Sequence, residues 1–209
     1  MMQPVTIALA KGRPAKQTIK LLQNAGLIFE ELDASSRKLV FYNEDQSVRV
    51  IFLKGMDVPI YVEKGAADIG IVGKDNIIES QAEVYELLDL GIGKCKFSIA
   101  AKQGVSLSSD NEITIATKYP IVAKRYFGRK NQSIDIVKLN GSVELAPLIG
   151  LADYIVDIVE TGNTLRENGL EILEDIETIS TKAIVNKASF ATRSTEIQNI
   201  INRLSTVVG

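Results

Sequence analysis

Short apolar runs alternate with segments whose apolar residues recur at helical spacing, and the alternation persists from one end of the chain to the other. Residues 5–9 form a first buried-type strand. The helix after it is opened by Pro14, carries Thr18, Ile19, Leu22 and Ala25 as a stripe, and is stopped by Gly26. Residues 39–42 and 48–53 predict two strands around the polar turn Asn43-Glu44-Asp45-Gln46. A helix over 56–65, a strand over 69–72 and a helix opening at Gly73-Lys74-Asp75 come next. Beyond these, the pattern predicts strands over 97–101, 113–116, 134–139 and 154–159, and helices over 119–127 and 143–148. Residues 171–185 are β-compatible with a bend or break, and 189–204 place Ile197, Ile200, Ile201 and Leu204 on one helical face. Repeated β-α units predict an α/β fold with mostly parallel sheets and helices on both faces. The polar, Ser-rich stretch 104–111 has linker character.

Composition narrows the function. At 209 residues the chain holds one domain or two small ones. The 24 Lys+Arg against 26 Asp+Glu leave a formal charge of −2, which gives no global attraction to nucleic acid or an anionic membrane, so an anion site must be assembled locally. The first apolar run has no basic region before it, and no apolar stretch reaches membrane-spanning length, so the expected location is the cytoplasm. Cys95 is the single cysteine, which excludes an intramolecular disulfide and a cysteine metal cluster within one chain. The absence of histidine excludes Ser-His-Asp and Cys-His chemistry.

One stretch carries the strongest chemical signal. The strand over 154–159 bears Asp157 near its exit and then turns through Thr161, Gly162, Asn163 and Thr164 into a short helix that Gly169 ends. Gly162 permits a positive φ, and the threonines offer hydroxyls and successive N–H groups, which together suit a phosphate. A plain Thr-capped turn fits the same residues. Lys11 and Arg13 flank Gly12 at the exit of the first strand, where open α/β sheets bind ligands, although a solvated basic turn fits as well. Arg37, Arg49 and Lys54 lie around the next two strands; Arg49 is either on a solvated face or paired to a buried acid or ligand. In Asn140-Gly141-Ser142-Val143-Glu144, Ser142 is a candidate N-cap and Glu144 a candidate acid beside the same sheet end.

DIVETGNTL resembles the phosphoribosyl-diphosphate loop of the ATP phosphoribosyltransferases, and ALAKGR, MDVPIYVEKGAADIGIVGKD and NGSVELAP resemble three further family landmarks in the family's order. The match spans nearly the whole chain and is similar to the short form, without the regulatory C-terminal domain. The resemblance implies two lobes of periplasmic-binding-protein-like α/β fold, with the active site in the cleft between them. Domain I would comprise residues 1–90 and 175–209, and domain II residues 91–174. It implies transfer of the phosphoribosyl group of phosphoribosyl diphosphate to N1 of the adenine of ATP, the first step of histidine biosynthesis. Mg2+ would arrive on the substrates, and a histidyl-tRNA-synthetase-like regulatory subunit would be the partner. Arg37, Lys54 and Lys11 become the expected catalytic cations. Arg13, Arg49, Gly73, Glu144, Asp157, Glu160, Thr161, Gly162, Asn163, Thr164 and Leu165 become the expected substrate-binding residues. Two rival readings remain. A salvage-type phosphoribosyltransferase usually has adjacent acids before its loop, whereas Ile158-Val159 separate Asp157 from Glu160 here. A solute-binding domain without catalysis would share the two-lobed architecture.

Overall fold

A computed structural model describes residues 3–12, 14–33, 35–108 and 112–208. In chain order they form β1 (Val5–Ala10), α1 (Ala15–Asn24), β2 (Val40–Tyr42), β3 (Val48–Leu53), a 3-10 turn (Gly55–Asp57), α2 (Val58–Glu63), β4 (Ile69–Gly73), α3 (Lys74–Ser80) and β5 (Tyr85–Asp89). Then come β6 (Cys95–Lys102), β7 (Ile113–Thr117), α4 (Pro120–Arg129), β8 (Ile134–Lys138), α5 (Leu145–Leu148), β9 (Tyr154–Val159) and α6 (Asn163–Glu167). The chain ends with β10 (Leu170–Ile179), β11 (Thr181–Val185), α7 (Lys187–Thr192) and α8 (Ser194–Ser205). It divides into two units, Met1–Gly93 with Ser180–Gly209, and Lys94–Ile179.

The sheet of the first unit runs β2-β3-β1-β4-β11-β5. All six residues of β1 are buried because helices cover both of its faces. Val5, Ile7 and Leu9 pack with Leu22 of α1 and with Ile197, Ile200 and Leu204 of α8, whereas Ala8 and Ala10 pack with Val58 and Val62 of α2 and Ile77 of α3. Gly70 of β4 lets α2 lie this close: a Cβ there would stand 2.7 Å from a Val62 methyl and 2.9 Å from a Val58 methyl. Gly26 ends α1 at φ 72°, and the N–H groups of Leu27 and Gly26 satisfy the Leu22 and Gln23 carbonyls at 2.8 and 2.9 Å.

The last element is two helices rather than one. Arg193 leaves helical geometry at φ −130°, ψ 31°, and its guanidinium donates to the Gln3 carbonyl at 2.8 Å, to Glu196 at 2.6 Å and to Asp68 at 3.4 Å. Asp68 in turn accepts the Thr6 N–H at 2.8 Å. The strand β5 has no counterpart in the apolar pattern; its residues are mostly exposed, and it is a strand because β11 pairs with it.

The sheet of the second unit runs β10-β6-β9-β7-β8. Ala146 of α5 and Leu165 of α6 cover one face over Ala100, Ala116 and Ile155. On the other face the Phe97 and Tyr119 rings meet edge to face at 5.1 Å between centroids. At the edge, β10 carries two irregularities, and its acids are engaged: Glu174 with Lys130 at 2.8 Å and Asp175 with Lys96 at 2.5 Å. Charges and bulges discourage further pairing along that edge.

Three expectations are corrected. Parallel pairing is confined to β3-β1-β4 and β9-β7-β8, and the other five joins are antiparallel, so the sheets are mixed rather than mostly parallel. One antiparallel join, β2–β3, is a hairpin, and the other four all involve β6, β10 or β11, the strands that flank the crossings between units. Ser142 caps no helix; it sits at φ 50°, and α5 begins after Glu144 without a side-chain cap. Of the stretch 104–111, the described residues 104–108 do not join the units. Tyr154 donates to the Ser106 carbonyl at 2.9 Å and accepts the Ser108 N–H at 3.1 Å, so its described part is tied to the second unit. The chain crosses between the units at 93/94 and 179/180. Pairing of β10 with β6 continues to Ile179, and the Thr181 N–H returns to the Ile92 carbonyl at 3.0 Å.

Candidate functional site

In the first unit the expected residues gather at one edge of the sheet, at the carboxyl ends of β3, β1 and β4. Ala10 is level with Leu53 and Leu9 with Ile71, so continuing the register puts Lys11 level with Lys54 on one side and Gly73 on the other. The chain before β2 reaches the same end: Leu39 accepts the Phe52 N–H at 3.0 Å, and Arg37 lies two residues ahead of Leu39. Lys11, Arg37 and Lys54 are exposed, and the Lys11 ammonium stands 5.9 Å from the centroid of the Phe52 ring. Connection order explains why this edge is open. The chain passes from β1 to β3 on one side and then back across to β4, leaving a switch point between β1 and β4, where α/β sheets hold ligands. Gly73 has a local reason as well, since a Cβ there would run into the Asp75 carboxylate.

Arg49 is not part of this group. It pairs with Thr6 near the opposite end of β1, and its Nε donates to the buried Thr6 hydroxyl at 2.7 Å. Four residues of strand, about 13 Å, separate it from Leu53. Arg13 lies outside the described residues.

The second unit repeats the arrangement. The chain passes from β7 to β8 and then back across β7 to β9, so β7 and β9 flank a second switch point. Asp157 stands half-buried on β9, Glu160 is exposed just past its end, and the loop follows. Gly162 has φ 71° and is buried, Thr161, Asn163 and Thr164 are exposed, and Leu165 is buried against the sheet. The Arg166 N–H reaches the Gly162 carbonyl at 3.1 Å, so the N–H groups of 163–165 precede the first helical bond, and that of Asn163 donates to the Thr161 hydroxyl at 3.4 Å. Glu144 is half-buried just before α5, and its neighbours Val143 and Ala146 pack with Ile155 of β9 and Leu165 of α6.

Two cations near this loop were not legible in the sequence. Lys118, half-buried, follows β7 and continues its register level with Asp157. Arg166 binds the loop from α6: Nη2 donates to the Thr161 carbonyl at 3.1 Å and to the Asn163 side chain. A lysine after a strand and an arginine on a surface helix look like solvated charges in sequence; only strand register and loop closure reveal their place. Asp175, by contrast, is already engaged. Its hydrogen bonds from Lys96 and then Ser98 hold its carboxyl below the usual range.

The family described as HisG: ATP phosphoribosyltransferase matches residues 54–206. The chain belongs to the ATP phosphoribosyltransferase family. It is 94% identical over 208 residues to the ATP phosphoribosyltransferase of Oceanobacillus iheyensis, covering 100% of both chains. Among solved structures, it superposes on a chain of the ATP phosphoribosyl transferase (HisG:HisZ) complex from Thermotoga maritima with a TM-score of 0.85, at 34% identity and covering 98% of each chain. The periplasmic aliphatic sulphonate binding protein SsuA from Escherichia coli has a TM-score of 0.62 at 13% identity, covering 99% of this chain and 69% of that one. That likeness shows a shared fold and extends the periplasmic-binding-protein architecture to this ATP phosphoribosyltransferase family chain.

Proposed function

We infer that the chain catalyses attack of adenine N1 of ATP on C1 of phosphoribosyl diphosphate, forming the N-glycosidic bond and releasing diphosphate, the first step of histidine biosynthesis. The observation that supports this most is the family match together with a loop at the carboxyl end of β9 whose Thr161, Asn163 and Thr164 are exposed. The attacking nitrogen offers a lone pair and has no proton to lose, so the bond-forming step needs no imidazole, in keeping with a chain that has no histidine. The site must instead align two polyanions and stabilise charge growing on the departing diphosphate while the ribose carbon gains oxocarbenium character.

In this reading, amides and hydroxyls of Thr161, Gly162, Asn163, Thr164 and Leu165 receive the 5-phosphate, and Asp157, with Glu160, accepts hydrogen bonds from the ribose hydroxyls. Lys11, Arg37 and Lys54, joined by Arg13, neutralise phosphate oxygens. Glu144 and Lys118 are further candidate contacts on the second unit, and Gly73 on the first. The role first given to Arg49 passes to the fold, because its guanidinium serves Thr6. Mg2+ enters as part of the substrate complexes, held by phosphate oxygens and water. A HisZ-like, histidyl-tRNA-synthetase-like subunit is the partner, and the cytoplasm is the place of work; among the described residues, no helix is long and apolar enough to cross a membrane.

The test is diphosphate release by the full chain with such a partner, ATP, phosphoribosyl diphosphate and Mg2+. Release that needs both substrates supports the reading. Binding of either substrate with no turnover in the complete mixture would favour a solute-binding module instead.

A further inference from the structure

Arg166 has no part in the reaction as derived, yet its side chain is bonded to the loop that the reaction uses. Its Nη2 donates to the Thr161 carbonyl at 3.1 Å and to the Asn163 side-chain oxygen, while its own N–H reaches the Gly162 carbonyl at 3.1 Å. Its Nη1 lies 3.2 Å from where a Cβ on Gly162 would be, so the guanidinium lies against the bare face of the glycine.

These contacts have a geometric consequence. In a planar trans peptide the C=O and the following N–H point in opposite directions. Holding the Thr161 oxygen toward Arg166 therefore turns the Gly162 N–H away from it, toward the side left open for an anion. The second bond fixes Asn163, the first residue of α6. A five-residue helix has little stability of its own, so the loop depends on such ties for a single conformation. Both bonds leave one nitrogen, Nη2, whose two N–H groups are fixed in the guanidinium plane, whereas a lysine ammonium is a freely rotating point donor.

We propose that Arg166 is a positioning residue for the ribosyl donor: it holds the Thr161–Asn163 backbone with its amides already turned to receive the 5-phosphate, and so removes an ordering cost from binding. This rests on the reading of the 161–164 loop as the donor's phosphate site. It assigns Arg166 a structural hold on the loop rather than a contact with the phosphate.

The test is titration calorimetry of the full chain with phosphoribosyl diphosphate and Mg2+, and separately with ATP, for the wild type, Arg166→Ala, Arg166→Lys and Gly162→Val. Arg166→Ala and Arg166→Lys are both expected to bind the donor about tenfold more weakly, with ATP affinity and melting temperature unchanged. Gly162→Val is expected to abolish donor binding. If Arg166→Lys binds the donor as the wild type does, charge alone suffices and the proposal is overturned. Wild-type binding by both Arg166 variants, with Gly162→Val inactive in binding, overturns the proposal and leaves the loop assignment standing. Wild-type binding by Gly162→Val overturns both. Should Arg166→Ala fail to fold, the Arg166→Lys comparison decides.

Discussion

The Lys11 N–H donates to the Leu53 carbonyl at 2.8 Å, which carries the pairing of β1 with β3 to the residue before Lys54. Two cations thus leave adjacent parallel strands side by side, and Arg37 reaches the same end from the strand beyond. On the proposed reading these cations meet the departing diphosphate, whose charge grows in the transition state. Arg37→Ala and Lys54→Ala are each expected to lower turnover at least tenfold, about 1.4 kcal/mol of transition-state stabilisation, with a smaller change in ATP affinity. Steady-state kinetics of the complex decide it: unchanged turnover in a folded variant removes that residue from the role.

Arg49 provides the contrast. Its bond to the buried Thr6 hydroxyl is about 13 Å along the strand from the cationic edge. Arg49→Met is expected to cost about 1 kcal/mol of stability in urea unfolding while leaving both substrate affinities within twofold of the wild type. A tenfold loss of affinity for either substrate would return Arg49 to the site.

Gly70 sets the distance between α2 and the sheet. A methyl there would overlap Val62 and Val58 on one side and Ile184, 2.9 Å away, on the other. All three neighbours are fully buried and have little room to move. Gly70→Ala should destabilise the chain by about 2 kcal/mol through overpacking, measured by denaturant unfolding. A neutral or stabilising effect would mean that the helix can lift without loss.

Asp89 makes stability depend on acid. Burial works to raise its pKa, but hydrogen bonds from Lys182 and Ser180 and the Gly91 N–H outweigh it and bring the carboxyl down from 3.8 to about 2. The lowered folded value means that the ionised group stabilises the fold above pH 3.8, and that this contribution is lost as pH falls through about 2. Asp89→Asn should therefore be less stable than the wild type near neutrality, with the difference closing between pH 3.8 and 2. A difference that stays constant across that window would assign the stabilisation to something other than ionisation of Asp89.

What could be read from the sequence was whatever repeats locally. The buried run of β1, the stripes of α1 and α8, and the strand–Gly162–helix turn all carry their period or their glycine in consecutive residues. Pairing does not. β5 has no apolar face to announce it, four of the five antiparallel joins involve strands that flank the crossings between units, and the break at Arg193 depends on Asp68 and Gln3, far away in sequence. The site divides the same way. The strand–turn–helix that carries Asp157, Gly162 and the loop threonines was legible as consecutive residues, whereas the separation of Arg49 from Lys54 and the hold of Arg166 on Thr161 required register and loop geometry.

The most direct measurement is diffraction from crystals of the full chain soaked with phosphoribosyl diphosphate. The account predicts the 5-phosphate on the amides of residues 161–164, with the ribose hydroxyls at Asp157. A donor bound elsewhere, with those amides unchanged and solvated, would contradict it.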